Sequence, residues 1–390
     1  MTQSELDLRS AKHAAYRSGV RALQPGHNLR TSVGIARDYQ RRPSSAHHLG
    51  NMDDSCSGCG AAHFRDEKAT PGRTQYMMCC AKNTVELPLF EPFPETLRSL
   101  YLNQDDDSKS FRKFIRNYNN ALPMASMTAD IVTPQGFGPY CFRVHGQVYH
   151  TIGGLQPRDG DPPQCAQVLI MDTNEAAQEL CGRDANRVVE STFRTLHNML
   201  NDSNPYVRAF RLMAQVADEE SRNAQEQGRT SRPVRMVFEQ NNADDHRRYN
   251  FATANEVAIV YVGDEESILG DRFLVIHEQT GNLKFISQLD KLCDPLTYTL
   301  LFPSGGHGWH PEMERTEYAS PRRARVTQKQ YYSFVLSTRD RQFNPLHYAG
   351  KLLQQFIVDS WLKIEMNRLN FIRQNQHQLR LDTVQGLQLI

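Results

Sequence analysis

The chain has 390 residues, a formal net charge of +1 and 39% hydrophobic residues. That length accommodates two or three domains with real cores, and the hydrophobic fraction, below the globular average, points to a globular middle with polar, partly disordered ends. The longest clean apolar run, Val257 to Val262, is far too short for a bilayer, and MTQSELDLRSAKH lacks the apolar core of a signal peptide, so neither a membrane span nor a secretory leader is expected. Eight cysteines without such a leader predict a reducing, nuclear or cytoplasmic compartment.

Residues 1–46 show no sustained periodicity and read as a flexible basic tail. Arg9, Lys12, Arg17, Arg21, Arg30, Arg37, Arg41 and Arg42 outnumber Glu5, Asp7 and Asp38 there. This is either a phosphate-attracting arm or a solvated leader. Residues 47–95 form a candidate metal segment. Cys56 and Cys59 make a C-x-x-C knuckle with Gly58 and Gly60 in its turn, and Cys79 and Cys80 follow on an expected strand. This crowding favours a metal over disulfides, and a sulfur-rich donor set suits tetrahedral zinc. His63 competes locally for the fourth place, or Cys79 and Cys80 both bind. Zinc, worth about 10–16 kcal/mol in finger peptides, would be the main source of order there. With neither an open position nor a general base, the site reads as structural.

Residues 96–310 predict a mixed middle domain. Pro88, Pro92 and Pro94 keep LPLFEPFP extended. Glu95 to Leu102 reads as a helix, QDDDSKS as an exposed acidic break with Asp105, Asp106 and Asp107 solvated, and Ser110 to Leu122 as a second helix. From Gly136 to Leu155 aromatic and β-branched residues alternate, broken at Gly146 by a hairpin or a bulge. Val168 to Met171 reads as a short buried strand and Asn186 to Leu200 as an amphipathic helix. Asn204 before Pro205 is a cap followed by a first-turn proline. The helix it opens carries Val207, Phe210, Met213 and Val216, with Arg208 and Arg211 on its other side. Glu219 to Pro233 reads as a surface loop. Strands follow at Arg235 to Phe238 and Val257 to Val262, then a hairpin of Phe273 to His277 and Leu283 to Ile286 turning at Gly281. Arg247, Arg248 and Tyr249 either hold a phosphate with a base stacked on the ring or form an exposed loop. The expected class is α+β: a mostly antiparallel sheet with packed helices, a small N-terminal zinc-knuckle-like segment and a long C-terminal helix.

In DPLTYTLLFPSGGHGWHP the glycines Gly305, Gly306 and Gly308 permit tight bends. His307 and His310 form an H-x-x-H pair, in a glycine loop and without a metalloprotease glutamate. Trp309 is expected to plug a pocket. Residues 311–345 read as a basic linker, with Arg315, Arg322, Arg323, Arg325 and Lys329 partly offset by Glu312, Glu314 and Glu317. Gln328 to Leu336 starts another element. Leu346 to about Arg380 reads as one long helix. Its apolar stripe of Leu352, Leu353, Phe356, Ile357, Trp361, Ile364, Leu369 and Ile372 is expected in the core. Lys351, Lys363, Arg368, Arg373 and Arg380 fall mainly outside it, where they could track a phosphate backbone.

Several blocks in fixed order carry a resemblance: HHLG with CSGC and CC, IRNYNNALPMASMTADI, GPYCFRVHGQVYHTIG, NPYVRAFR, RRYNFATANEVA, DPLTYTLLFPSGGHGWHP, QYYSFVL and QQFIVDSWLKIEMNRLNFIRQNQ. From about His47 to Gln376 the chain resembles the N-terminal region of Helitron rolling-circle transposases. The resemblance implies that His47 holds the histidine of the family's H-x-L-G step and is a zinc-ligand candidate. It also implies that residues 346–390 begin a replication-initiator-like domain. The family's chemistry is DNA cleavage and joining, through a metal held by two histidines flanking a hydrophobic residue, nucleophilic tyrosines and a helicase with a phosphate-binding loop. The sequence has no His-hydrophobic-His triplet and no G-x-x-x-x-G-K-[ST] loop. Tyr331–Tyr332 matches the family's YY before the long helix rather than its nucleophiles. The expectation is a truncated, non-catalytic region that binds DNA, single-stranded or at transposon ends, through Arg247, Arg248, Tyr249, Arg322, Arg323, Arg325, Arg368 and Arg373, in company with a full-length Helitron transposase. The rivals are a metal-dependent hydrolase using His307 and His310, and a protein-interaction relic without DNA affinity.

Overall fold

The computed structural model describes residues 49–68, 75–87, 93–132, 143–152, 154–155, 157, 161–184, 187–238, 258–262, 274–277, 284–315, 324–339 and 343–376. The chain divides into two units, Met1–Asn51 and Met52–Ile390. Nearly all of the first, including the basic tail and His47, lies outside the described residues.

Asn204 and Pro205 start the longest described helix of the middle region. The Asn204 side chain accepts from the Tyr206 and Val207 amides at 3.0 and 3.3 Å, and Pro205 takes the first helical position, where its missing N–H costs nothing. The helix they open, α8 (Pro205–Glu226), follows α7 (Glu190–Ser203). It buries Val207, Phe210, Met213, Ala217, Glu220 and Ala224 at three- and four-residue spacing. The expected loop from Glu219 is therefore helix through Glu226. Its polarity misleads because Glu220 faces inward, paired with Arg229 at 2.5 Å and Arg232 at 3.2 Å. Phe238 packs edge-on to Tyr206 and against Phe210, seating α8 on β5 (Val234–Phe238).

β5 is buried along its whole length, the pattern of a central strand. It takes an antiparallel neighbour on each side, β6 (Ala258–Val262) and β7 (Leu274–His277). A second sheet runs β3 (Ser126–Val132), β4 (Arg143–Ile152), β8 (Lys284–Ile286). The expected hairpin of β7 with β8 does not form, because each strand completes a different sheet. At Gly146 a bulge holds and β4 continues: Ala129 faces Val148 and Asp130 faces His145, leaving Gly146 and Gln147 without a partner across β3.

Ahead of α7 come α2 (Glu95–Leu102), α3 (Asp106–Lys113), α4 (Ile115–Ala121), α5 (Ala166–Ile170) and α6 (Thr173–Asp184). The acidic run is a helix start rather than a break. The Asp105 carboxylate accepts from the Ser108 amide and hydroxyl at 2.8 Å each, while Asp106 and Asp107 stay exposed in the first turn. Phe114, at ψ 20°, divides the second expected helix into α3 and α4. Val168, expected in a strand, is helical in α5. An apolar run this short has no period to tell the two apart.

The C-terminal part contains α9 (Cys293–Thr297), α10 (Gln328–Leu336), α11 (Pro345–Tyr348) and α12 (Lys351–Gln374). Thr327 caps α10 in a reciprocal box with Gln330. The single long helix is interrupted at Gly350, whose φ of +50° is left-handed. Leu352, Phe356 and Ile364 are buried as expected, whereas Ile357, Leu369, Ile372 and Trp361 (54% exposed) face outward. Lys363, expected on the solvated face, is only 2% exposed. Trp309 is buried and donates to the Val326 carbonyl at 2.8 Å. No helix among the described residues is long and apolar enough to cross a membrane.

Candidate metal centre

The knuckle is built on a minimal hairpin, β1 (Asp54–Ser55) paired with β2 (Ala62–His63). The Cys56 amide donates to Ala61 and the Gly60 amide to the Cys56 carbonyl, both at 2.8 Å. Gly60 turns at φ +70°. Cys79 and Cys80 come from a one-turn helix, α1 (Met77–Cys80), rather than the expected strand. Three successive non-glycine residues then adopt left-handed angles: Ala81, Lys82 and Asn83 at φ +49°, +61° and +66°. Such residues cost about 1–2 kcal/mol each and persist where the surroundings fix them. Here the Asn83 amide donates to the Cys80 sulfur at 3.1 Å, and the Thr84 and Val85 amides both donate to the Cys80 carbonyl at 3.0 Å. Gly58 closes against this turn: a Cβ on it would lie 2.9 Å from the Asn83 Cβ.

The result is a cluster of four sulfurs, Cys56, Cys59, Cys79 and Cys80, all within 4.8 Å of one another. Cys56 lies 3.7 Å from Cys80, and Cys79 lies 3.8 Å from Cys80. Tetrahedral zinc with bonds of about 2.3 Å puts its sulfurs about 3.8 Å apart, so the donor set fits a four-thiolate ion. Both vicinal cysteines belong to the cluster and His63 does not, while His47 lies outside the described residues. The His63 ring stacks on Tyr76 at 3.8 Å and its Nδ1 bonds Glu67 at 2.6 Å.

Hydrogen bonds from the Cys79 and Cys80 thiols hold Cys59 far below the usual thiol range, with Arg339 adding to the effect. The Cys59 contact raises Cys79 and, with burial, pushes Cys80 up to about 12. Arg339 is nearly buried. Its Nε donates to the Cys59 carbonyl at 3.2 Å and its Nη2 to the Cys59 sulfur at 3.6 Å, while Nη1 donates to the Phe334 carbonyl at 2.9 Å. The guanidinium lies 3.9 Å over the Phe334 ring. An antiparallel bridge of Ala61 with Arg339 and a 2.8 Å bond from the Ala62 amide to Thr338 complete the junction between knuckle and α10.

A second polar centre lies deep in the core. Lys363 on α12 bonds Asp294 at 2.6 Å and Asp359 at 2.9 Å. Asp359 also receives His150 at 3.1 Å and the Tyr298 hydroxyl at 3.0 Å. The Tyr332 hydroxyl donates to Asp294 at 3.0 Å. Burial opposes the charge on Lys363, yet Asp294 and Asp359 overcome it and hold its pKa well above the ordinary lysine range. Burial likewise raises the Asp359 carboxyl, and Lys363 and His150 reverse that to a net lowering. Such a buried, ion-paired set fastens elements together and offers no surface to a substrate.

The remaining sequence-predicted residues do not converge. Arg247, Arg248, Tyr249, Arg322 and Arg323 lie outside the described residues. Arg325 is exposed in a bridge with Glu314, Arg368 pairs with Glu365 at 2.6 Å, and Arg373 sits exposed in the last turn of α12. His310 faces Glu312 at 3.4 Å, and neither it nor His307 joins a metal-ligating group among the described residues. Tyr331 is buried with its hydroxyl on the His307 carbonyl at 3.3 Å. Sequence reasoning missed Arg339 and the Lys363 centre. The only signal for either was the i,i+4 spacing of the acid–base pair Asp359–Lys363.

Residues 331–390 match the family model of the Helitron helicase-like domain at N-terminus. The chain thus contains a transposase-related region. That region is a Helitron helicase-like N-terminal region, and it contributes Tyr332, Arg339, Asp359 and Lys363 to the two centres above. No curated protein matches the chain.

Proposed function

We propose that this chain serves a Helitron-type transposase as a DNA-handling platform, ordered by a structural zinc ion, that binds or positions transposon ends without cutting them itself. The observation that carries the reading is the match over residues 331–390, joined through Arg339 to a four-cysteine cluster. A four-sulfur donor set leaves no place for water or substrate on the ion, which favours a structural role. The adjacent tyrosines support a non-nucleophilic role, since both are buried and hydrogen-bonded to neighbouring groups. Its partners on this reading are single-stranded DNA or transposon ends, and a Helitron transposase carrying the nuclease and helicase.

The experiment is incubation of the zinc-loaded protein with labelled single-stranded transposon-end DNA and Mg²⁺ or Mn²⁺. Salt-sensitive binding with intact DNA is expected. Strand cleavage or a covalent tyrosine–DNA adduct would overturn the non-catalytic part. The absence of binding at low salt would overturn the DNA-handling part.

A further inference from the structure

Away from both centres, α6, α7 and α8 frame an open cleft of about 640 Å³. Its walls are polar apart from Leu212: Thr173, Asn198, Asn201, Arg208, Arg211 and Gln215. Arg208 and Arg211 stand one turn apart on α8, so their guanidinium groups share a face. Arg208 donates to the Asp202 carbonyl at 2.6 Å, which fixes its direction, and neither arginine forms a salt bridge with a carboxylate among the described residues. The exposed Asp202 side chain, also in the lining, is the one carboxylate there.

The cleft is held from behind. His197 is buried and bonds the Val168 carbonyl at 3.1 Å, the Thr173 hydroxyl at 2.9 Å and the Asn201 amide at 3.1 Å. Thr173 donates in turn to Asn198 at 2.7 Å. The capped start of α8 keeps the arginines in place relative to α7. A guanidinium pair, one member of it held by a backbone carbonyl, beside amide and hydroxyl groups is phosphate-recognising chemistry. An open groove of this polarity has little apolar surface for stacking bases, so it suits the backbone of a strand rather than its sequence.

We propose that this cleft holds the phosphodiester backbone of a DNA strand, with Arg208 and Arg211 each on a phosphate. The inference rests on the DNA-handling reading above and adds the site.

The test is anisotropy of a labelled oligothymidylate with the full chain, over a salt series. Three forms are compared: wild type, R208Q/R211Q, and R116Q/R222Q, which removes the same charge from exposed arginines elsewhere. R208Q/R211Q should weaken binding about tenfold or more at low salt and flatten the salt slope by about 0.7 for each phosphate no longer neutralised. R116Q/R222Q should stay near wild type. N198D/Q215E, at exposed positions of the rim, should repel the strand similarly and serves if the arginine variant does not fold. Binding by wild type with equal losses in the two arginine doubles would overturn the cleft alone. A wild type that does not bind at low salt would overturn the cleft and the DNA-handling reading together.

Discussion

Arg339 grips Cys59 twice, donating to its carbonyl at 3.2 Å and to its sulfur at 3.6 Å. The two residues lie 280 positions apart in the chain. A guanidinium fork delivers both bonds in one plane while a third nitrogen holds Phe334, and an ammonium cannot reproduce that arrangement. Four thiolates on a divalent ion leave a net negative charge, which a nearly buried cation offsets. Arg339→Ala should therefore weaken zinc binding about 10–100-fold, and Arg339→Lys should recover part of it. Competition against a chromophoric chelator measures both; unchanged affinity in the alanine variant would remove Arg339 from the centre.

The cluster should hold one zinc ion per chain. Native mass spectrometry should find that stoichiometry, and cobalt substitution should give the intense thiolate bands of a tetrahedral site. Cys59→Ser or Cys79→Ser should abolish stoichiometric binding. Chelation should open the segment from Asp54 to Val85, read as faster amide exchange there than in α8.

Gly58→Ala probes the seat of the knuckle. Its new Cβ would sit 2.9 Å from the Asn83 Cβ, in a turn whose left-handed residues have little room to shift. A loss of about 1–3 kcal/mol is expected, seen as weaker metal retention. Asn83→Gly, which removes the opposing Cβ and relaxes the positive φ, should rescue it.

Lys363→Met leaves Asp294 and Asp359 buried without their shared cation. Breaking such a pair costs about 3–5 kcal/mol, readable in urea unfolding at neutral pH. The pH dependence has two limbs. Asp359 has a lowered folded pKa, so its stabilisation is full above the unfolded value of about 3.9 and declines as pH falls through that value toward the folded one. Lys363 has a raised folded pKa, so its stabilisation is full below about 10.4 and declines as pH rises beyond it. Unfolding free energy followed against pH should fall at both ends, and Lys363→Met should make the alkaline limb shallower, leaving the part due to buried tyrosines such as Tyr298 and Tyr332, whose pKa values burial also raises.

Local chemistry was legible wherever one residue type decides the geometry. Asn204 with Pro205 marked the start of α8, the Gly146 break marked a hairpin or a bulge, of which the bulge formed, and the crowding of Cys56, Cys59, Cys79 and Cys80 marked a donor cluster. What pairs over distance was not legible. The sequence around β7 and β8 reads as a hairpin because proximity in the chain is the default, yet β5 claims one strand and β4 the other. Glu220 and Lys363 read as solvent-facing because Arg229 and Asp294 lie nine and 69 positions away, and because the i,i+4 pair of Lys363 with Asp359 looks by spacing alone like a surface pair. Arg339 carried no signal at all, since nothing near it in sequence hints at a sulfur.

The family match begins at Tyr331, but the ionic bolt through Lys363 does not respect that border. A fragment excised there would retain Lys363 and Asp359 and discard Asp294, Tyr298 and His150. It would carry a stranded ammonium–carboxylate pair on a helix stripped of its packing wall, and circular dichroism of such a peptide should show it largely unstructured. The stretch that a family model recognises is therefore shorter than the stretch that must be inherited together to fold.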